Sequence, residues 1–256
     1  MDETQPSILV DHIDRIAIIT LNRPDRRNGV TVEMCQTMER AMREVAQSEA
    51  HVVLVRGAGR DFCVGADIMA ASEGGLPPHA RDLGPIHRAA TLLHSMPQVT
   101  IAAIDGGCAG AGMGWAAACD IRIASTRAKF ATAFLTVGVS GDMSLPWSLT
   151  RILGGAKARE LLLLPDKFDA AEALRIGLVS SLHEADELHE KATELAERLC
   201  GYDPFALRLM KANCLSAERL GMEEYAEIEM ARHLQCFDRP GMGADMKEAF
   251  LKAKGD

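Results

Sequence analysis

The chain has 256 residues, 48% of them hydrophobic and 25% charged, and this balance excludes a largely disordered protein. Its 28 Lys and Arg against 36 Asp and Glu give a net charge of −8, which argues against a nucleic-acid backbone as the main partner. No apolar run reaches the roughly 18 residues of a membrane-spanning helix, and the acidic N-terminus lacks the basic segment of a secretory signal, so we expect a cytoplasmic protein that does not cross a membrane.

The first quarter of the chain predicts a hairpin, a helix and a strand. Residues 8–10 and 16–21 form β-rich runs, and the polar loop 22–29 follows them. Thr31 is a good N-cap for the next helix, because its hydroxyl can accept a backbone N–H bond of the first turn. Helical spacing places these apolar residues on one inward face: Met34, Met38, Ala41, Met42 and Val45. Residues 51–55 then predict a short buried strand.

The middle of the chain repeats this alternation. We predict helices at residues 86–93 and 115–119, and strands at 99–104, 121–124 and around Phe130. Strands that alternate with helices predict an α/β fold with substantial parallel pairing.

After residue 166 the pattern becomes helical. Asp169 predicts the N-cap of a helix at 170–176, and Gly177 predicts its end. Nearly everything from Glu184 onward has the spacing of amphipathic helices. We therefore expect an α/β core at 1–195 and a helical region at 196–256. The helical region has little core of its own and must pack against something, for which a partner subunit is a candidate.

Two glycine-bearing loops are candidates for a binding site. Residues 62–68 follow one predicted strand, and residues 105–112 lie between the next strand and a helix. Small residues let a ligand approach the backbone, and two N–H groups aimed at one oxygen would form an oxyanion hole. Tight turns and close helix packing explain the same glycines equally well. Nothing next to Cys63 clearly lowers its pKa, so we interpret it as a packed thiol.

The order and spacing of several motifs identify a family resemblance. Asn22-Arg23-Pro24 with Asn28, the loop 62–68 and the segment 105–120 resemble the crotonase superfamily, also called the enoyl-CoA hydratase/isomerase family. The resemblance extends over essentially the whole chain. It implies a spiral of ββα units with a C-terminal α-helical trimerisation region, assembled as a homotrimer or a dimer of trimers. It also implies a coenzyme A thioester as substrate, with no separate cofactor and no metal.

The resemblance further implies roles for individual residues. The N–H groups of Ala66 and Ala111 would hold the thioester oxygen as it becomes an enolate. The path of coenzyme A would be lined by the following residues: Arg26, Arg27, Val64, Asp67 and Ile68. The two arginines would also offer positive charge to a phosphate of coenzyme A, unless they belong to a solvated loop.

The chain departs from the family at the two positions where hydratases carry the glutamates that activate water. Gly114 and Phe134 stand there, and neither can transfer a proton. Family members that shift double bonds often keep a single carboxylate further along, where this chain has Asp142. Asp142 has a second interpretation, as the cap of a helix at 143–153, which would lower its pKa and make it a poorer base. Phe134 and Trp147 are expected to make the acyl pocket apolar, unless both are plain core.

The favoured hypothesis is therefore an acyl-CoA enzyme that moves a double bond from Δ3 to Δ2, with the enolate in an oxyanion hole and Asp142 as acid/base. The first alternative is an enoyl-CoA hydratase with a non-standard base. A thioester hydrolase or a decarboxylase would use the same oxyanion hole. An acyl-CoA-binding protein without turnover is the alternative from a different class.

Overall fold

A computed structural model describes residues 6–69, 84–243 and 250–251. The chain divides into two compact units, Met1–Gly201 and Tyr202–Asp256. No helix in the described ranges is long and apolar enough to cross a bilayer.

Six strands of the described residues form the main sheet of the first unit. In their order across the sheet they are β1 (Ile8–Ile13), β2 (Ile16–Leu21), β3 (Val52–Gly57), β4 (Val99–Ile104), β6 (Ile121–Ser125) and β9 (Ser181–His183). The predicted hairpin is confirmed, since β1 and β2 are antiparallel. The other neighbouring pairs are parallel, as the alternation of strands and helices predicts.

The central strands β2, β3 and β4 are buried on both faces of the main sheet, which explains why they are almost continuously apolar, whereas the edge strand β1 is largely exposed. Side chains alternate between a larger core on one face and a smaller cluster on the other. Helix α6 (Leu188–Cys200) packs on the smaller cluster through Leu188, Ala192 and Ala196. The boundary between the two compact units lies after Gly201, so the whole of α6 belongs to the first unit. The sequence places this boundary earlier, near residue 195.

The remaining helices of the first unit are α1 (Val32–Ala46), α2 (Gly84–Ser95), α3 (Ala111–Ala118), α4 (Leu145–Leu163) and α5 (Ala170–Arg175). Both predicted caps are confirmed. The Met34 N–H donates to the Thr31 hydroxyl at 3.1 Å, and the Glu172 N–H donates to the Asp169 carboxylate at 2.9 Å. The predicted inward face of α1 is buried in the larger core.

A second, three-stranded sheet contains β5 (Gly107–Ala109), β7 (Lys129–Ala131) and β8 (Phe168–Asp169). Strand β7 lies in the middle, parallel to β5 and antiparallel to β8. Strand β5 leads directly into α3, so this small sheet positions the start of that helix.

Helix α4 corrects the prediction of a helix at residues 143–153. Met143 and Ser144 have φ values of 49° and 55°, in the left-handed region, so the helix begins at Leu145 instead. It continues beyond residue 153 to Leu163, with a kink at Gly154, where φ is 75°.

The second unit contains the helices α7 (Pro204–Ala217) and α8 (Met222–Phe237). Asp203 caps α7 by accepting the Ala206 N–H at 2.8 Å, and its carboxylate also pairs with Arg239 at 2.7 Å. The helical character of this region is as predicted. Its role in assembly stays a prediction.

Candidate active site

The two glycine-bearing loops lie side by side. The Phe62 N–H donates to the Asp105 carbonyl at 2.7 Å, and the Cys63 N–H donates to the Gly107 carbonyl at 3.0 Å. In return, the Ala109 N–H donates to the Cys63 carbonyl at 2.9 Å. This is the bonding of a parallel ladder, so the first loop approaches β5 like a neighbouring strand.

Glycine is required where the two loops meet. Gly65 has a φ of +99° and Gly110 a φ of +49°, values that residues with a Cβ rarely adopt. A Cβ on Gly65 would lie 3.1 Å from the Ala109 carbonyl oxygen, which is a tight contact, whereas a Cβ on Gly110 would be in ordinary contact with the Cα of Gly65 at 3.7 Å. Gly65 therefore serves close packing and Gly110 serves its backbone turn, with φ of 49° and ψ of −121°, and together they bring the two peptides that follow them close to each other.

The N–H of the peptide between Gly65 and Ala66 points away from the neighbouring segment of the chain, which contains Val30. Its carbonyl, which belongs to Gly65, accepts the Val30 N–H at 2.8 Å. Since the C=O and N–H of a trans peptide point in opposite directions, the Ala66 N–H points away from Val30. Ala66 is exposed, and its N–H finds no acceptor within the residues that the structure describes.

The peptide between Gly110 and Ala111 is arranged in the same way. The Gly110 carbonyl accepts the Gly114 N–H at 3.0 Å, as the first bond of α3. The Ala111 N–H is therefore one of the unpaired donors at a helix N-terminus and points out of the helix. It has no acceptor in the described part of the chain either. Two unpaired donors that follow adjoining glycines can bind one negatively charged oxygen.

Asp142 lies in a constrained loop between β7 and α4. Left-handed φ values surround it, 125° at Gly141, 49° at Met143 and 55° at Ser144. The residue at the N-cap of α4 is Ser144, which makes no side-chain capping bond. Among the described residues, the Asp142 carboxyl takes part in no hydrogen bond or ion pair. The interpretation of Asp142 as a helix cap is therefore wrong. Backbone strain of this kind is often concentrated at functional sites.

Desolvation raises the pKa of Asp142 to about 6, because the ionised carboxyl loses hydration among the surrounding protein atoms. The residue itself is exposed to solvent. Water thus reaches part of the Asp142 side chain, while protein atoms occupy much of the space around its carboxyl. The pKa of the Cys63 thiol is raised to about 12. Burial of the thiol is the largest cause, and the negative charge of Asp142 raises this pKa further. Asp142 thus lies within electrostatic reach of the loop that carries Ala66, and Cys63 is a packed thiol.

Apolar side chains lie at Gly114 and Phe134, the two positions where hydratases of the family carry glutamates. We call this surface, formed by Met143 and Phe134, the apolar wall. A Cβ on Gly114 would overlap the Cβ of Met143, whose side chain is buried. The Phe134 ring, also buried, comes within 3.8 Å of where a Cβ of Gly110 would stand, and within 3.7 Å of that of Gly141. Phe134 therefore packs against the start of α3. Met143, which comes from the loop before α4, packs against α3 about one turn further along, at Gly114.

The residues expected along the path of coenzyme A are brought together. The Val64 N–H donates to the Arg27 carbonyl at 3.3 Å, and Ile68 is 57% exposed. The buried Asp67 carboxylate pairs with Arg23 at 2.8 Å and with Arg26 at 3.7 Å. Asp67 is thus engaged as a partner of arginines. Arg26 and Arg27 both keep a large exposed fraction, 48% and 62% of their side chains.

Trp147 lies on α4 and is half-buried. Its ring meets the His94 ring edge-on at 4.9 Å, and the Arg151 guanidinium stacks on it at 3.8 Å. These contacts place Trp147 between α2 and its own helix. Its role in an acyl pocket stays a prediction.

Two residues that shape the site were missed by the sequence interpretation. The sequence places Met143 in the first turn of a predicted helix, and it indicates no role for Asp61. The structure places Met143 against Gly114 and brings the Asp61 carboxylate to Arg27 and Gly107. No local pattern reveals these contacts, because each joins segments that are distant in sequence.

No group of three or more His, Cys, Asp or Glu side chains suited to a metal occurs in the described ranges. A cavity of about 270 Å³ lies between α6 and the neighbouring strands, and none of the predicted site residues lines it.

Comparison with known proteins gives consistent results. Residues 12–251 match the family model described as enoyl-CoA hydratase/isomerase. The chain is 32% identical to the 1,2-epoxyphenylacetyl-CoA isomerase of Escherichia coli K12, with 95% of each covered. It is 29% identical to the short-chain-enoyl-CoA hydratase of Clostridium acetobutylicum, covering 95% of this chain and 92% of that protein. It superposes on an enoyl-CoA hydratase structure from Bacillus anthracis with a TM-score of 0.91 and 25% identity, covering 96% of this chain and 97% of that one.

Proposed function

The chain belongs to the enoyl-CoA hydratase/isomerase family of the crotonase superfamily, and from that premise we propose that it moves the double bond of a 3-enoyl-CoA to the conjugated 2-position. Family membership makes it an enzyme of the hydratase/isomerase group and confirms the predicted crotonase-like α/β fold. An acyl-CoA substrate is consistent with that membership. The direction of the double-bond shift and the residues that perform it are the proposal.

The proposed reaction needs one base and one oxyanion site. The Asp142 carboxylate removes a proton from the α carbon, and the electron pair of that C–H bond moves toward the thioester, whose oxygen becomes an enolate. The N–H groups of Ala66 and Ala111 hold this oxygen. The Asp142 carboxylic acid then returns the proton to the γ carbon, which leaves the double bond conjugated with the thioester. No atom is added or lost.

The observation that carries the proposal is the state of Asp142. A carboxyl with a pKa of about 6 and no bonded partner among the described residues is ionised in most molecules at neutral pH, and it is a stronger base than an ordinary aspartate. The Asp142 charge raises the pKa of the Cys63 thiol, so Asp142 lies near the loop 62–68, which also carries the Ala66 donor. The Escherichia coli relative is by name an isomerase that acts on a coenzyme A thioester, which supports isomerisation in general, although its named substrate is an epoxide.

The apolar wall favours isomerisation over hydration. Adding water requires acidic groups that orient and activate a water molecule, and the corresponding positions are Gly114, covered by Met143, and Phe134. Without such groups, the proton that Asp142 removes is returned to the substrate itself. A hydratase in which Asp142 serves as a non-standard base is the second candidate, since the Clostridium acetobutylicum relative is a hydratase by name.

The proposal also includes binding and assembly. Arg26 and Arg27 offer exposed positive charge to a phosphate of coenzyme A, beside the backbone of Val64, Asp67 and Ile68. Coenzyme A enters as part of the substrate, and the reaction uses no further cofactor. The region 196–256 mediates assembly as a trimer or a dimer of trimers.

The function is tested by supplying the protein with a 3-enoyl-CoA and following the ultraviolet absorption of the conjugated 2-enoyl thioester. We expect conjugation to appear, and a 2-enoyl-CoA supplied instead to gain no water. Conversion of the 2-enoyl-CoA to a 3-hydroxyacyl-CoA, with loss of its absorption, would identify the hydratase. Binding of both thioesters with neither converted into another product would identify a binding protein without turnover.

The raised pKa of Asp142 predicts the pH dependence of this reaction. Its carboxyl must be ionised to accept the proton, so kcat/KM for isomerisation is expected to fall about tenfold per pH unit below pH 6 and to level off above it. The measurement is the conjugation rate at low substrate concentration between pH 4.5 and 8. A profile that stays level down to pH 4.5 would contradict the assignment of this carboxyl as the base.

A further inference from the structure

The geometry points to Asp61 as a positioning residue that holds the two oxyanion donors in register, an inference that rests on the proposed function. The Asp61 side chain is 14% exposed, and Asp61 is neither one of the two oxyanion donors nor the proposed base. Its carboxylate instead joins three separate segments: its own loop, the polar loop that carries Arg27, and the start of β5 at Gly107.

Both carboxylate oxygens of Asp61 are engaged. The Gly107 N–H donates to Oδ1 at 2.7 Å. Arg27 donates through Nη2 to Oδ1 at 2.9 Å and through Nε to Oδ2 at 2.8 Å. The guanidinium and the Gly107 N–H hold the pKa of the Asp61 carboxyl below its ordinary value, so this group remains ionised across the working range of the enzyme.

The bond to Gly107 lies at the end of the ladder that is away from the donors. There the Phe62 N–H also donates to the Asp105 carbonyl, and the chain then pairs with the second loop through the Cys63 N–H and carbonyl before it reaches Ala66. The second loop runs from Gly107 through β5 to Ala111. Asp61 therefore fixes the relative position of two segments at one end, and the two donors stand at the other.

The glycines of the turn make this contact possible. A Cβ on Gly107 would lie 2.8 Å from the Asp61 Oδ1, and a Cβ on Gly106 would overlap the Arg60 carbonyl oxygen. Only glycine allows the carboxylate and the turn to approach so closely.

The polar loop is itself held in place from the same side. Arg27 and Asn28 have left-handed φ values of 50° and 54°. The Asn28 side chain is fully buried and donates to the Asp61 carbonyl at 2.7 Å, while it accepts the Arg23 N–H at 2.8 Å. Arg27 is thereby presented to Asp61 in a fixed orientation, and a charge-assisted bidentate pair of this kind is both strong and directional.

Positioning matters here because an oxyanion hole works by preorganisation. A small displacement of donors from the oxygen they stabilise is sufficient for a large loss of rate. We expect kcat to fall about 10-fold in Asp61→Asn, which keeps an oxygen for Gly107, and about 100-fold in Asp61→Ala, which removes every contact of the side chain.

The test separates positioning from binding and from general stability. Each variant is assayed with a 3-enoyl-CoA and with the corresponding pantetheine thioester, which lacks the nucleotide that Arg27 would contact. A positioning role lowers kcat on both substrates and leaves the pH midpoint near 6. The control is Glu172→Gln, which removes a bidentate ion pair with Arg175 on α5 and is expected to leave kcat unchanged.

A spectroscopic readout keeps this inference distinct from the isomerase assignment. Two N–H donors on the thioester oxygen polarise a bound aryl-conjugated 2-enoyl-CoA and shift its absorption to longer wavelength. We expect this shift to shrink in Asp61→Asn and further in Asp61→Ala. If the wild type shifts the probe and the variants do not, positioning stands even where no isomerisation is found. Variants with a native circular dichroism spectrum, unchanged kcat and an unchanged shift would overturn it.

Discussion

Replacing Asp142 by asparagine is expected to lower kcat for isomerisation by about 10²- to 10⁴-fold, the range that a positioned acid/base group contributes. Asparagine has nearly the same shape as aspartate but accepts no proton at the working pH. The Asp142 carboxyl forms no hydrogen bond or ion pair among the described residues, so the substitution breaks no structural contact there. Removing a partly desolvated charge is also expected to leave folding stability unchanged or slightly higher. The measurement is the conjugation of a 3-enoyl-CoA by wild type and variant at saturating substrate.

The matched control for this substitution is Asp166→Asn. It makes the same chemical change at an exposed residue between α4 and β8 and is expected to retain the wild-type rate. Binding of the conjugated thioester is expected to be similar in all three proteins, because the donors at Ala66 and Ala111 are untouched. An Asp142→Asn protein that keeps its fold and isomerises at the wild-type rate would show that another group is the base.

Replacing Ala111 by proline is expected to lower kcat by about 10²- to 10³-fold, the loss found when one oxyanion donor is removed. Ala111 is the first residue of α3, where proline is well tolerated because the N–H it lacks has no partner inside the helix. The substitution therefore removes one donor and keeps the helix. It also decreases the shift in absorption of the bound aryl-conjugated thioester, which reports polarisation directly.

The control for this change is Val32→Pro, which places proline at the first position of α1. Thr31 before it has an extended backbone with ψ of 165°, compatible with a following proline. We expect this variant to keep full activity and nearly native thermal stability. If Ala111→Pro is folded and binds the thioester but loses neither rate nor the absorption shift, the Ala111 N–H is not an oxyanion donor.

Local features of the fold were predictable because they depend on residues close together in the chain. Thr31 and Asp169 cap helices through bonds to N–H groups three residues away, and the inward face of α1 follows from helical spacing. The start of α4 was not predictable in this way. Left-handed φ values at Met143 and Ser144 delay it, although neither residue type favours that conformation.

The site was predictable in part. The motifs indicated which two loops meet and that positions 114 and 134 hold no acid. The direction of the Ala66 N–H was not readable, since it depends on a bond between Gly65 and Val30 from another part of the chain. The two interpretations of Asp142 were also inseparable in the sequence, because both place a carboxylate immediately before a helix.

By itself, then, the sequence determined the family, the α/β architecture, the candidate loops and the absence of the two glutamates, all of which are carried by residue identity and spacing. Only the tertiary structure decided that Asp142 is uncapped with a raised pKa, that Met143 fills the space beside Gly114, and that Asp61 joins the loops. The physical reason is that pKa, packing and the direction of an N–H depend on which distant segments surround a group, and no spacing along the chain records this.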